Sequence, residues 1–222
     1  MKAVAIDGPA GAGKSTIARA AAKEIGFIYV DTGALYRAIG LYMLQNKVDI
    51  CSEQAVSAEL DGLEVSLGFA GGEQHVFLCG KDVSGLIRTP DVSMAASKVS
   101  AMPRVREFLF SLQKDMAKKH DVIMDGRDIG TVVLPGAQLK IFLTASPEER
   151  ARRRCKEMQE KGMEADFEEV LADIKTRDYN DSHRAIAPLV PAEDAVLVDT
   201  TGDTLEGSTA RLLKIIRERL AL

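Results

Sequence analysis

Short apolar runs alternate along this chain with longer stretches whose apolar positions recur at helical spacing. Ala3-Val4-Ala5-Ile6, Phe27-Ile28-Tyr29-Val30, Val122-Ile123-Met124, Leu139-Lys140-Ile141-Phe142-Leu143 and Ala195-Val196-Leu197-Val198 read as buried strands. Between and after them, Ser15 to Ile25, Thr32 to about Asn46, Pro103 to about Lys119, Pro147 to Lys161, Phe167 to about Asn180 and Leu205 to Leu220 read as helices, with Gly162 a hinge between two of them. Strand and helix in turn predict an α/β fold, a doubly wound parallel sheet of about five core strands. Residues 51–100 break the rhythm. Leu63 to Leu67 alternates, Gly71-Gly72 marks a turn, and His75 to Leu78 and Lys81 to Val83 are short strands with no helix between them. A small antiparallel β insert is expected there, within a single domain spanning residues 1–222. Ile87 to Ala101 is polar with small residues.

The first strand runs into Gly8-Pro9-Ala10-Gly11-Ala12-Gly13-Lys14-Ser15-Thr16, which fits G-x-x-x-x-G-K-[ST] at every fixed position. The spacing has a physical basis. Glycines let the backbone curl so that successive N–H groups point at phosphate oxygens, and the next helix begins there with the positive end of its dipole. All nine residues are candidate contacts for a nucleotide triphosphate, Lys14 reaching the outer phosphates and the Ser15 hydroxyl sitting on Mg²⁺.

Ligands of an open parallel sheet collect beyond the carboxyl ends of its strands, which puts Asp31, Thr32, Tyr36 and Arg37 beside this loop. Asp125, ending another apolar run, stands where P-loop enzymes keep a Mg²⁺-associated carboxylate, and Gly126-Arg127-Asp128-Ile129-Gly130-Thr131 follows at once. Arg104 and Arg106 fall in the first turn of a helix, against its dipole, which hints at a ligand. Arg150, Arg153 and Arg154 share a helix face in residues 148–182. That face is either solvated or part of a helical lid that closes over a transferring phosphoryl group, with Arg154 the first choice for transition-state charge and Arg150 and Arg153 behind it.

Composition narrows the picture. A net charge of −4 argues against nucleic acid as partner, so any polyanion site is local. No apolar run approaches a membrane span, and Met1-Lys2-Ala3-Val4 enters the first strand directly, so a cytoplasmic protein is expected, acting as a monomer on small molecules. Cys51, Cys79 and Cys155 form no pair at metal or disulfide spacing. Asn46-Lys47-Val48-Asp49 and Asp82-Val83-Ser84-Gly85 mimic GTPase motifs but stand in the wrong order.

One nucleotide loop plus separate arginines Arg37, Arg106, Arg127, Arg177 and Arg184 points to a kinase holding a second phosphorylated molecule. A kinase for a hydroxyl acceptor, with Asp31 or Asp125 as base, and a nucleotide-dependent switch remain alternatives on the residues alone. The chain also resembles the bacterial cytidylate kinases nearly end to end. The resemblance rests on the phosphate loop, Asp31-Thr32-Gly33-Ala34-Leu35-Tyr36-Arg37, Val83-Ser84-Gly85-Leu86-Ile87-Arg88-Thr89, Pro103-Arg104-Val105-Arg106, Asp125 through Thr131, Arg177-Asp178, and Arg184 through Leu189. It implies ATP-dependent phosphorylation of CMP and dCMP with Mg²⁺, for which Lys14, Arg127 and Arg154 are the candidate catalytic residues. It implies that Arg37, Arg127 and Arg184 grip the acceptor phosphate, that Tyr36, Arg177 and Asp181 line the sugar, and that Ser97, Arg106 and Asp128 read cytosine. Thr32, where some relatives have Ser, is expected beside the acceptor with its hydroxyl kept. Ser15 adds a hydroxyl where some relatives have Gly.

Overall fold

The computed structural model describes residues 1–160 and 162–222. Strands β1 (Ala3–Asp7), β2 (Ile28–Asp31), β6 (Val122–Gly126), β7 (Leu139–Thr144) and β8 (Val196–Asp199) form one five-stranded sheet in the order β2-β6-β1-β7-β8, parallel throughout. Helices α1 (Lys14–Ile25), α2 (Thr32–Gln45), α5 (Pro103–Lys119), α6 (Pro147–Glu160), α7 (Phe167–His183) and α8 (Leu205–Leu220) alternate with them. The helix expected through Lys161 is described to Glu160, and Lys161 lies outside the described residues. Among the described residues no helix is long and apolar enough to cross a membrane.

Alternation of side chains splits the strands between two faces. Val4 and Ile6 of β1, with Ile123, Ile141 and Leu143, pack under α1 and α8. Ala3, Ala5, Val30, Val122 and Met124 face the other way, against Met116 of α5 and the π-helical turn Ile129–Val133. Register sets Asp31 beside Asp125, and Asp7 beside Gly126, so acidic strand ends are gathered along one edge of the sheet.

The insert is the expected antiparallel sheet, β3 (Val65–Ala70), β4 (Glu73–Leu78) and β5 (Lys81–Asp82), but it also contains two helices that the reading of residues 51–100 as hairpin-rich leaves out. They are α3 (Glu53–Leu60), capped by the Ser52 hydroxyl accepting from Ala55 N–H, and α4 (Pro90–Val99), capped by Thr89 with Pro90 in its first turn. The buried positions of α4 are Val92, Ala95, Ala96 and Val99. Spacing of three and four is helical, but alanine writes it too faintly to stand out from a polar stretch. These small residues let α4 lie close on α2, where a Cβ on Gly40 would sit 2.9 Å from Ala96 N and 3.2 Å from Ala95 Cβ. The hairpin is tied to the main sheet by Gln74: its Oε1 accepts from Asp31 N–H at 2.8 Å and its Nε2 donates to Asp31 C=O at 3.2 Å.

Gly40→Ala tests the α2–α4 contact. Alanine gains about 1 kcal/mol in helix propensity over glycine, but overpacking against backbone costs about 1–3 kcal/mol. A net loss in urea-unfolding stability is expected.

Candidate active site

The phosphate loop leaves β1 at Asp7 and turns at Gly8, whose φ is +149° and whose missing side chain leaves room for the Leu143 carbonyl. Gly13, at φ +86°, starts α1 with no side-chain cap, so the first N–H groups of that helix stay free for an anion. Lys14 is buried and its Nζ donates across the loop to Pro9 C=O at 2.8 Å. Burial, and then the Arg127 cation, bring its pKa down to about 7, against the pull of Asp125, Asp7 and Asp181.

Asp125 lies beneath the loop. Its Oδ2 accepts from the Ser15 hydroxyl at 2.8 Å and its Oδ1 from Tyr29 OH at 3.0 Å. Burial, then the neighbouring Asp31 carboxylate, raise its pKa to about 6. An alcohol and a carboxylate brought together are hard oxygen donors, the set that suits Mg²⁺ in the company of phosphate oxygens. Asp7 is buried likewise; its oxygens accept from Ile129 N–H and Gly130 N–H, both at 2.7 Å, yet burial still lifts its pKa to about 6.

Beyond the loop, arginines and carboxylates pair across the crevice. Asp31 caps α2 through Ala34 N–H at 3.0 Å and holds Arg37 at 2.7 Å, while the Arg37 Nε is buried without a hydrogen-bond partner among the described residues. Arg127 Nε donates to Asp181 at 2.8 Å. Desolvation, then the Arg127 cation, lower the pKa of Arg177, whose field also includes Asp181, Arg154 and Arg37. Deeper in, Asp128 receives Arg106 and, at 3.4 Å, Arg184, and the Arg106 guanidinium stands 6.0 Å from the centre of the Tyr36 ring. Burial raises the Asp128 and Tyr36 pKa values; for Asp128 the two guanidiniums oppose it.

Two groupings therefore contain most of the expected acceptor residues: Arg37, Arg127, Arg177 and Asp181 toward Lys14, and Tyr36, Arg106, Asp128 and Arg184 further in. Ser97 sits on α4 near the second, since its carbonyl accepts from Ser100 Oγ and the Ser100 carbonyl accepts from Arg106. The Thr32 hydroxyl, by contrast, is buried and donates to the Asp125 carbonyl at 2.8 Å, fastening α2 to β6.

Arg150, Arg153 and Arg154 of α6 separate cleanly. Arg150 is buried, paired with Asp178 of α7, and donates to the Ala10 carbonyl of the phosphate loop at 3.1 Å, so it is a structural bolt. Arg153 is held by Glu149 and the Thr200 carbonyl. Arg154 is exposed, its one polar contact among the described residues being with Glu157 on its own helix at 3.4 Å, and it lies within the field of Arg177. Sequence reasoning did not single out Asp7 or Gln74. Asp7 could have been found, since like Asp31 and Asp125 it closes an apolar run; Gln74 carries no such mark in the sequence.

A parallel sheet whose carboxyl edge carries a phosphate-cradling loop, a carboxylate-backed hydroxyl and an arginine-lined crevice defines a P-loop phosphotransferase. Within that class, the chain belongs to the cytidylate kinase family, whose model matches residues 4–218. It is 51% identical over 212 residues to the cytidylate kinase of Caldicellulosiruptor saccharolyticus, covering 96% of this chain and 94% of that one. Against the cytidylate kinase of Lactobacillus johnsonii it is 50% identical over 216 residues, 97% and 94% of the two chains. An uncharacterized protein of known structure from Eubacterium ventriosum shares the fold at a TM-score of 0.54 and 12% identity, over 99% of this chain and 100% of that one. The chain is an ATP-dependent nucleoside monophosphate kinase.

The Asp125 carboxylate titrates near 6 folded against 3.8 for an ordinary aspartate, so the folded state binds its proton more tightly. Stability tied to this group is present in acid and lost as pH rises through 6. In urea unfolding without nucleotide or metal, wild type is expected to gain about 1 kcal/mol relative to Asp125→Asn between pH 8 and pH 5.

Proposed function

We propose that this chain transfers the γ-phosphoryl group of ATP to CMP and dCMP, with the donor on residues 8–16 and the acceptor in the arginine crevice. The observation that carries the reading is the arrangement of cations along one crevice: buried Lys14 held on the Pro9 carbonyl of the phosphate loop, and beyond it Arg37, Arg127, Arg106 and Arg184 held on Asp31, Asp181 and Asp128; burial first, and then the Arg127 cation, lower the Lys14 pKa to about 7. Cations gathered at such cost fit two polyanions meeting end to end. Mg²⁺ would be held by the Ser15 hydroxyl, with Asp125 behind it, and would supply charge neutralisation on the donor phosphates.

The acceptor oxygen is already anionic in a phosphate, so no general base is needed and catalysis is alignment plus charge neutralisation. Lys14 leaves the Pro9 carbonyl for the outer phosphates of ATP. Arg37, with its unsatisfied Nε, joins Arg127 and Arg184 on the acceptor phosphate. Arg177 and Asp181 bond the ribose beside Tyr36, while the Thr32 hydroxyl, held on the Asp125 carbonyl, supports the start of α2. Ser97, Arg106 and Asp128 read cytosine: its exocyclic amine donates to a carboxylate, where uracil would oppose acceptor to acceptor. Residues 51–100 form the acceptor-binding insert and residues 148–182 the lid, whose α6 and α7 pack on each other through Ala151, Leu171 and Ile174. Arg154, less restrained than Arg150 and Arg153, swings onto the transferring group as the lid excludes water. A cytoplasmic monomer fits this reading, as do cysteines left free.

Coupled ADP-release assays across nucleoside monophosphates test the assignment: CMP and dCMP are expected to turn over best, and faster turnover of UMP or AMP overturns it. Asp128→Ala is expected to lower the CMP-over-UMP preference by about tenfold or more, as loss of a base-reading hydrogen bond does, while the KM for ATP changes little.

A further inference from the structure

We infer that Asp7 is a positioning residue that caps the turn after Asp128 in place of Asp128 itself, freeing the Asp128 carboxylate for the acceptor base and fixing it to the root of the phosphate loop. Asp128 occupies the N-cap position of the π-helical turn Ile129–Val133, where an aspartate ordinarily accepts from the N–H groups just ahead. Here its side chain makes no such bond and instead faces Arg106 and Arg184. The orphaned N–H groups of Ile129 and Gly130 are taken by Asp7, which reaches them from the end of β1, beside Gly126 in the register. At Gly130 a Cβ would stand 3.2 Å from Lys140 Cδ and Cγ and 3.3 Å from Asp7 Oδ2, so the glycine leaves room for both side chains.

The residue after Asp7 is Gly8, the first of the phosphate loop, so donor cradle and base reader hang from adjacent points of one strand. The charges facing Asp7 are the Asp128 carboxylate, which repels it, and the Lys14 ammonium, which attracts it. An amide cannot replace the carboxylate: asparagine offers one acceptor and would press its own N–H₂ against the second N–H. Asp128 would then be drawn back toward its ordinary capping role and away from the base.

The inference rests on Asp128 reading the acceptor base, and steady-state kinetics of Asp7→Asn test it. The KM for CMP is expected to rise by about tenfold or more, as a buried orphaned donor implies, and the ratio of kcat/KM for CMP over UMP to fall by at least about fivefold, with the ATP KM changed less than about threefold. A variant that loses CMP and UMP activity by one factor, or whose ATP KM rises with that for CMP, overturns the inference. Should Asp7→Asn not fold, Asp7→Glu keeps a two-oxygen acceptor but moves it one carbon further along β1, and an unchanged CMP-over-UMP ratio in that variant overturns it equally. Asp128→Asn measured alongside separates the two readings: if it too leaves the ratio unchanged, the base assignment fails, whereas an effect at Asp128 without one at Asp7 refutes the capping role alone.

Discussion

The structure depends on holding ionised groups out of water at the carboxyl edge of one parallel sheet. Asp7, Asp31, Asp125 and Lys14 are all buried there, where an unpaired charge is costly. Each is made tolerable by a fixed partner: peptide N–H groups for Asp7, a helix cap and Arg37 for Asp31, Ser15 and Tyr29 for Asp125, and the Pro9 carbonyl for Lys14. The compensation is incomplete, as the raised carboxylate and lowered lysine pKa values record. What remains unsatisfied is what a phosphate and a divalent cation would complete.

The crevice arginines extend the same economy. Arg37 rests on Asp31, Arg127 on Asp181, and Arg106 and Arg184 on Asp128. Such pairs hold the guanidinium forks in a small range of orientations, so the nucleotide proposed to bind there would meet preset donors and give up less freedom than it would to mobile side chains. Asp128 and Asp181 also keep hydrogen-bonding capacity of their own, so the groups that restrain the arginines are themselves suited to a base amine and sugar hydroxyls.

Much of this was legible in the sequence because it is written in short-range pattern. Strand, loop and helix around Lys14 follow from a contiguous motif, and the acidic strand ends from runs that stop at a charge. The helices α3 and α4 were not legible, because α3 is short with only Val56 and Leu60 buried and two of the four buried positions of α4 are alanines, too few large apolar residues to mark a helical period. The bond between the Thr32 hydroxyl and the Asp125 carbonyl was hidden for a different reason: it joins residues far apart in the chain, and only the register of β2 on β6 brings them level. The sorting of Arg150, Arg153 and Arg154 also needed three dimensions, since all belong to one basic stripe and only the position of Asp178, Thr200 and the phosphate loop tells them apart.

The Gln74 amide has one more effect. Strand β2 is the outer member of the main sheet, and an outer strand offers unpaired peptide groups to any extended segment of a neighbouring molecule. By engaging both peptide groups of Asp31 with a side chain, the hairpin occupies the carboxyl end of that margin without adding a strand. A foreign chain that tried to extend the sheet there would first have to displace the insert, so the same amide that docks the hairpin also guards against edge-to-edge aggregation.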